Sequence, residues 1–224
     1  VNRTPADLDA AAEAVCRVGG SLYRRGDVHA TAGNISVRLA DGSFLITPTD
    51  ACLGELDPAR LAWVDAADAQ HRGDRASKSL ALHRRIYEAD PDAGCVIHTH
   101  STHLVALTLL GVWSGDDIVP PITRYQVMKV GHVPLLPYHR PGDPRLADRV
   151  AQRIADFAAR GTPIRAVMLE RLGPNVWHRT PEAASAVLEE LEETARLWLA
   201  GSRALTPLNA AQIDELRRAF GVAW

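Results

Sequence analysis

Cysteine is scarce in this 224-residue chain: Cys16, Cys52 and Cys95 are scattered, odd in number, and form no CxxC pair. A disulfide framework and a thiolate zinc site are therefore excluded as organising features. An excess of positive charge is missing too. The 25 Lys and Arg residues face 27 Asp and Glu, a net charge of −2, so no basic field exists to draw nucleic acid phosphates. No apolar run approaches the length of a membrane span, and the start of the chain lacks a basic-then-apolar signal. The expectation is a cytoplasmic protein with no nucleic acid or membrane partner. Repeats, low-complexity tracts and composition breaks are absent as well. What remains is ordinary: 46% hydrophobic and 23% charged residues, which excludes a disordered or fibrous chain. The length is ample for a buried core and reads as one domain over residues 1–224.

Periodicity gives the elements. Thr4 as N-cap, Pro5 and Asp7 open a helix whose apolar stripe runs through Leu8, Ala11, Ala12, Val15 and Leu22 until Gly26 stops it. Ile35, Val37 and Leu39 alternate with polar residues, Asp41-Gly42 makes a turn, and Phe44 and Ile46 return as a hairpin. Leu61 to Val64 reads as a third strand. Leu80, Ile86 and Tyr87 mark a helix ending before Asp90-Pro91. A buried strand then runs from Cys95 and turns polar at His98-Thr99-His100. Leu104 to Leu110 reads as a helix and Val130 to Leu136 as a strand. Asp143-Pro144 starts a helix with Leu146, Val150, Ile154 and Phe157 inward. Two strands, Ala166 to Leu169 and Asn175 to His178, flank Gly173-Pro174. Helices from Pro181 to Ala200 and from Asn209 to Phe220 complete an α/β pattern, a mixed sheet between helical layers.

Four segments carry chemistry. On a strand His98 and His100 project from the same face, where two imidazoles can share a divalent ion; a hydrogen-bonded or exposed pair is the plainer alternative. Ala32-Gly33-Asn34-Ile35-Ser36 and Thr47-Pro48-Thr49-Asp50 offer backbone and side-chain donors to an anion. Ser77-Lys78-Ser79 lies at a helix N-terminus, where free N–H groups and a lysine attract phosphate. For each of these last segments, turn and cap chemistry is the competing reading.

The order GNIS, ITPTD, SKS…H, VIHTHSTH, PYHRPGD and a Gly-Pro turn before ELEETA resembles the class II aldolase/adducin family over nearly the whole chain. The branch that decarboxylates 3-oxo-tetronate 4-phosphates is the nearest likeness. Cys52-Leu53-Gly54, Leu56-Asp57-Pro58, His98 to His103 and Pro137 to Asp143 carry it. The resemblance implies a three-layer αβα sandwich around a mainly antiparallel sheet, and a homotetramer with sites between subunits. It implies a metal-dependent lyase acting on a phosphorylated sugar acid through a metal-stabilised enediolate. The divalent metal would be zinc, with manganese or iron as alternatives. His98 and His100 match metal ligands. Asn34, Thr49, Ser77 and Lys78 match phosphate-binding positions. Tyr138 matches a proton donor that reaches a neighbouring subunit's site.

Two positions depart from the pattern. The catalytic acid is expected where the chain has Ser79, and the third histidine ligand where it has Leu172, just before Gly173-Pro174. A serine hydroxyl cannot replace a carboxylate as general base, and leucine cannot ligate a metal. His139 is the replacement ligand taken forward, with His103, Glu170 and His178 as alternatives. Aldol cleavage and dehydration need a base; decarboxylation of a 3-oxo acid needs an electron sink and then a proton, so it is the chemistry least injured by Ser79. A family member recruited to iron-dependent oxidation or another lyase reaction, or a non-catalytic scaffold, is the alternative.

Overall fold

A computed structural model describes residues 5–140 and 142–224. Thr4, expected as the first N-cap, and Pro141 of the PYHRPGD segment lie outside them. The elements are α1 (Pro5–Arg25), β1 (Asn34–Arg38), β2 (Phe44–Ile46), β3 (Ala62–Val64), β4 (Gln70–Arg72), α2 (Leu80–Ala89), β5 (Cys95–His98) and α3 (Thr102–Leu110). They continue as β6 (Leu135–Leu136), α4 (Pro144–Ala159), β7 (Ala166–Leu169), β8 (Gly173–His178), α5 (Pro181–Ala200) and α6 (Ala210–Phe220). The strands form an eight-stranded sheet of order β4-β3-β2-β1-β5-β8-β7-β6, a mixed and mostly antiparallel sheet in an α/β fold. No helix among the described residues is long and apolar enough to cross a membrane. Contacts divide the chain into two compact units, Val1–His100 with Trp177–Ser185, and Ser101–Val176 with Ala186–Trp224.

In the first unit, β1 pairs antiparallel with β2 on one side and β5 on the other. The Asp41-Gly42 turn works as expected: Gly42 takes φ +83°, and Asp41 accepts hydrogen bonds from the Ser43 N–H and hydroxyl. Ile35, Leu45, Ile46 and Ile97 are at most 1% exposed, each contributing about 1.5–3 kcal/mol of hydrophobic stabilisation. The polar half of the β1 alternation is buried as well, because α2 covers it: Ser36 hydrogen-bonds to His83 of α2, and Asn34 to Ser79 just before that helix. Trp177 is fully buried, and its indole N–H donates to Asp90 Oδ2 at 2.8 Å.

The second unit holds the correction to the expected strand at 130–136. Residues Gln126–Val130 form a π-helical turn that Gly131, at φ +81°, closes by donating its N–H to Gln126 O. Val133 O then accepts from Ile118 N–H, and prolines 134 and 137 bracket the only stretch left to pair, Leu135–Leu136, parallel to β7. Asp143 caps α4 through the Arg145 N–H, with Pro144 at the first position and Val150, Ile154 and Phe157 buried. Asn209 and Gln212 form a reciprocal capping box on α6. The edge strand β4, Gln70-His71-Arg72, was not expected: it is short, polar and largely exposed, a composition that protects an edge and leaves no apolar signal.

Candidate functional site

The site begins at the register of β1 and β5. Asn34 lies directly opposite His98 and Ser36 opposite Val96, so these four side chains share a face of the sheet. Helix α2 packs there. Asn34 Nδ2 donates to Ser79 Oγ at 3.1 Å, and Ser36 Oγ meets His83 Nδ1 at 2.7 Å and Tyr87 Oη at 2.8 Å. Burial, and secondarily the charge of His98, pushes His83 down to about 3, so it is neutral.

Strand β5 ends at His98, so His100 stands beyond the ladder and not within it. The two rings nevertheless meet edge to face with centroids 5.1 Å apart. Two imidazoles with nitrogens on one tetrahedral ion place their centroids roughly 5 Å apart, so this pair fits a shared divalent metal. A third imidazole stands nearby: the His29 ring lies 6.4 Å from His100. Burial, then the charge of His29, lowers the His100 pKa below that of a free imidazole. Gly33 is required here, because at φ +85° a Cβ would fall 2.8 Å from the His98 carbonyl oxygen.

The phosphate-type residues converge through a short antiparallel crossing. Thr49 N–H donates to Arg75 O at 2.9 Å, Ser77 N–H to Thr47 O at 3.3 Å, and Pro48 bridges Ala76. Thr49 is thereby held beside the segment that opens α2, and it also lines a cavity of about 320 Å³ with Asp50, Cys52, Arg60 and Arg75. Ser77, not Ser79, acts as the cap: its Oγ accepts the Ser79 N–H at 3.3 Å and its carbonyl the Leu80 N–H at 3.1 Å. Lys78 is exposed at this helix end, with no ion pair among the described residues.

Of the remaining expected residues, Tyr138, His139, His103 and Glu170 lie in the second unit; His178 lies in the first, where its Nδ1 accepts the Arg179 N–H at 2.8 Å. Tyr138 is 63% exposed, and its backbone N–H donates to Glu170 Oε2 at 2.8 Å. His139 ties Nδ1–H to Pro137 O at 2.5 Å. His103 is committed to Glu192, which accepts its ring Nδ1–H at 2.7 Å and its backbone N–H at 2.9 Å. Among the described residues, no three His, Cys, Asp or Glu side chains are placed to hold a metal ion. His98 and His100 belong to the first unit and His139 to the second, where its bond to Pro137 is local to its own loop. His29 and His83 escaped sequence reasoning. The Val28-His29 step just before Gly33-Asn34 and the i, i+4 spacing of Ser79 and His83 were the available signals.

Comparison with known proteins places the chain's family and fold. The family described as Class II Aldolase and Adducin N-terminal domain matches residues 13–199. A 3-oxo-tetronate 4-phosphate decarboxylase of Cupriavidus necator is 54% identical over 217 residues, covering 95% of this chain and 96% of the relative. One of Escherichia coli K12 is 40% identical over 206 residues, covering 92% and 94%. The crystal structure of YgbL from Escherichia coli superposes with a TM-score of 0.83 at 40% identity, covering 94% of this chain and 99% of that one. An L-fuculose 1-phosphate aldolase shares the fold, with a TM-score of 0.78 at 22% identity, covering 95% of this chain and 96% of that one.

Proposed function

The chain belongs to the class II aldolase/adducin family, and from that premise we propose that it is a lyase that decarboxylates a 3-oxo-tetronate 4-phosphate. The 54% identity to a decarboxylase of that name, running through 95% of the chain, is the observation that carries this reading. Residues 1–224 act as one class II aldolase-like domain.

The chemistry suits the residues present. The bond between the carboxylate carbon and C2 breaks, CO2 leaves, and the electron pair passes to the C3 oxygen as an enediolate. C2 then takes one proton, giving a three-carbon hydroxyketone phosphate. No base is needed to start, so Ser79 in place of an acid does not block the step. Asn34, Thr49, Ser77 and Lys78 bind the phosphate at the open end of α2. His98 and His100 would hold a divalent ion, zinc first, which would supply a Lewis acid for the C3 ketone. His139 adds a donor, and the exposed Tyr138 phenol a proton, across the boundary to a neighbouring copy in a homotetramer.

Release of CO2 from the phosphorylated acid tests the reaction: turnover that disappears in His98→Ala supports it, and a metal-loaded tetramer without CO2 release overturns it. Mixing Tyr138→Phe with His98→Ala tests the shared site, since subunit exchange should restore part of the activity. Leu172→His should raise metal affinity about tenfold by supplying the imidazole the family pattern has there; unchanged affinity by calorimetry would remove position 172 from the metal's surroundings.

A further inference from the structure

Helix α2 and strand β1 meet in two parallel rungs. Asn34 bonds to Ser79 at 3.1 Å and Ser36 to His83 at 2.7 Å. The rungs match because alternate strand residues stand roughly 6.7 Å apart and i, i+4 helix residues about 6 Å apart. Each rung leaves one atom unsatisfied. Asn34 Oδ1 and His83 Nε2 are sealed from solvent and have no hydrogen-bond partner.

One assignment of the protons on the second rung satisfies all three of its contacts. Tyr87 O–H donates to Ser36 O at 2.9 Å. Ser36 O–H can then donate to Tyr87 Oη, and His83 Nδ1–H to Ser36 Oγ, so that every proton is used once across the 2.8 and 2.7 Å contacts. His83 Nε2 is left as a bare lone pair. The unsatisfied atoms are therefore two acceptors, Nε2 and Asn34 Oδ1. Ser79 supplies the counterpart, because its Oγ accepts from Asn34 and its hydroxyl proton has no acceptor among the described residues. Two acceptors and one donor are the complement of one water molecule, which donates twice and accepts. A water donating at its tetrahedral angle to two acceptors about 2.8 Å away holds them about 4.5 Å apart, a gap that neighbouring side chains of adjacent rungs can frame.

We infer that a buried water bridges His83 Nε2, Asn34 Oδ1 and the Ser79 hydroxyl, and that His83 is a positioning residue which, through this water, fixes the Asn34 amide for phosphate binding. The second half of the inference rests on the decarboxylase reading; the water itself does not.

The first test is a high-resolution structure of the unliganded protein. A water within hydrogen-bond distance of both acceptors is expected, and an empty gap overturns the inference. The second compares two variants by calorimetry with a phosphorylated four-carbon acid. His83→Asn keeps a polar atom near the Nδ1 position and leaves the water without its partner. His83→Gln reaches the Nε2 position. Affinity should fall about tenfold in His83→Asn and recover in His83→Gln, with kcat moving less than KM. Equal affinity in wild type and both variants, or equal losses that follow thermal stability, would make His83 a packing residue only. Normal binding without CO2 release would overturn the decarboxylase reading and leave the water site standing.

Discussion

Helices α2 and α3 open in opposite ways. At α3 the free N–H groups are met from within: Glu192 accepts His103 N–H at 2.9 Å and Leu104 N–H at 3.1 Å, and is itself 8% exposed. A buried carboxylate thus neutralises the positive end of the helix permanently. At α2 no acid does so. Ser77 satisfies the Ser79 and Leu80 N–H groups with neutral oxygens, and Lys78 adds exposed positive charge. One device, the N-terminus of a helix, is closed by a carboxylate in one place and capped by neutral oxygens alone, among the described residues, in the other.

The difference is breakable by removing the closing group. Glu192→Ala should cost about 3 kcal/mol of stability, because two backbone donors and the His103 ring lose a charged partner at once. A fall in the urea midpoint measures it, and an unchanged midpoint would mean that the carboxylate does not hold α3. Lys78→Ala is the counterpart. It should leave stability within about 0.5 kcal/mol, as an exposed unpaired lysine, yet weaken binding of a phosphorylated four-carbon acid by about 1.5–3 kcal/mol. Equal binding of phosphorylated and unphosphorylated analogues would reduce the Ser77-Lys78 segment to a helix cap.

This contrast also explains what the sequence discloses. The β1–β2 hairpin, α4 and α6 were legible because their signals are local: Asp41-Gly42, Asp143-Pro144 and Asn209…Gln212 each act within a few residues. The pairing of His98 with His100 was legible for the same reason, although the strand stops one residue after Ile97 and the geometry is held by packing. The role of His103 was not legible, since its partner Glu192 lies far along the chain. Nor was the burial of Asn34 and Ser36, because an alternating strand looks half-exposed until α2 is laid on it. Residues 130–136 misled because apolar residues at 130, 133, 135 and 136 suit a strand, while Gly131 and two prolines decide otherwise.

Acid sharpens the comparison next, because the inner face of α2 carries a neutral imidazole where the opening of α3 carries a buried carboxylate. His83 is held at about 3 in the folded state, against about 6.5 for a free histidine. Below pH 6.5 the unfolded chain binds a proton that the native one refuses. The stability due to keeping His83 neutral is therefore complete above pH 6.5 and is lost, at about 1.4 kcal/mol per pH unit, as pH falls toward 3. Urea titrations between pH 7 and 5 should show that slope, and His83→Asn should flatten it by the same amount. An unaltered slope in the variant would assign the acid sensitivity to other groups.

The smallest effect comes from closing α2 as α3 is closed. Ser79→Asp puts a carboxylate at the start of the helix, beside the Asn34 amide that now donates to Ser79 Oγ. A charged acceptor there strengthens that hydrogen bond and favours the helix dipole, so stability should rise by about 0.5–1 kcal/mol. The same charge stands where the substrate phosphate is proposed to bind, so affinity for the phosphorylated acid should fall while affinity for an unphosphorylated analogue holds. Opposite signs in the two measurements are the signature of an opening kept vacant for a ligand. If stability and phosphate affinity rise together, the anion does not bind at this end of α2, and the vacancy there is only the loss of an acid that nothing has replaced.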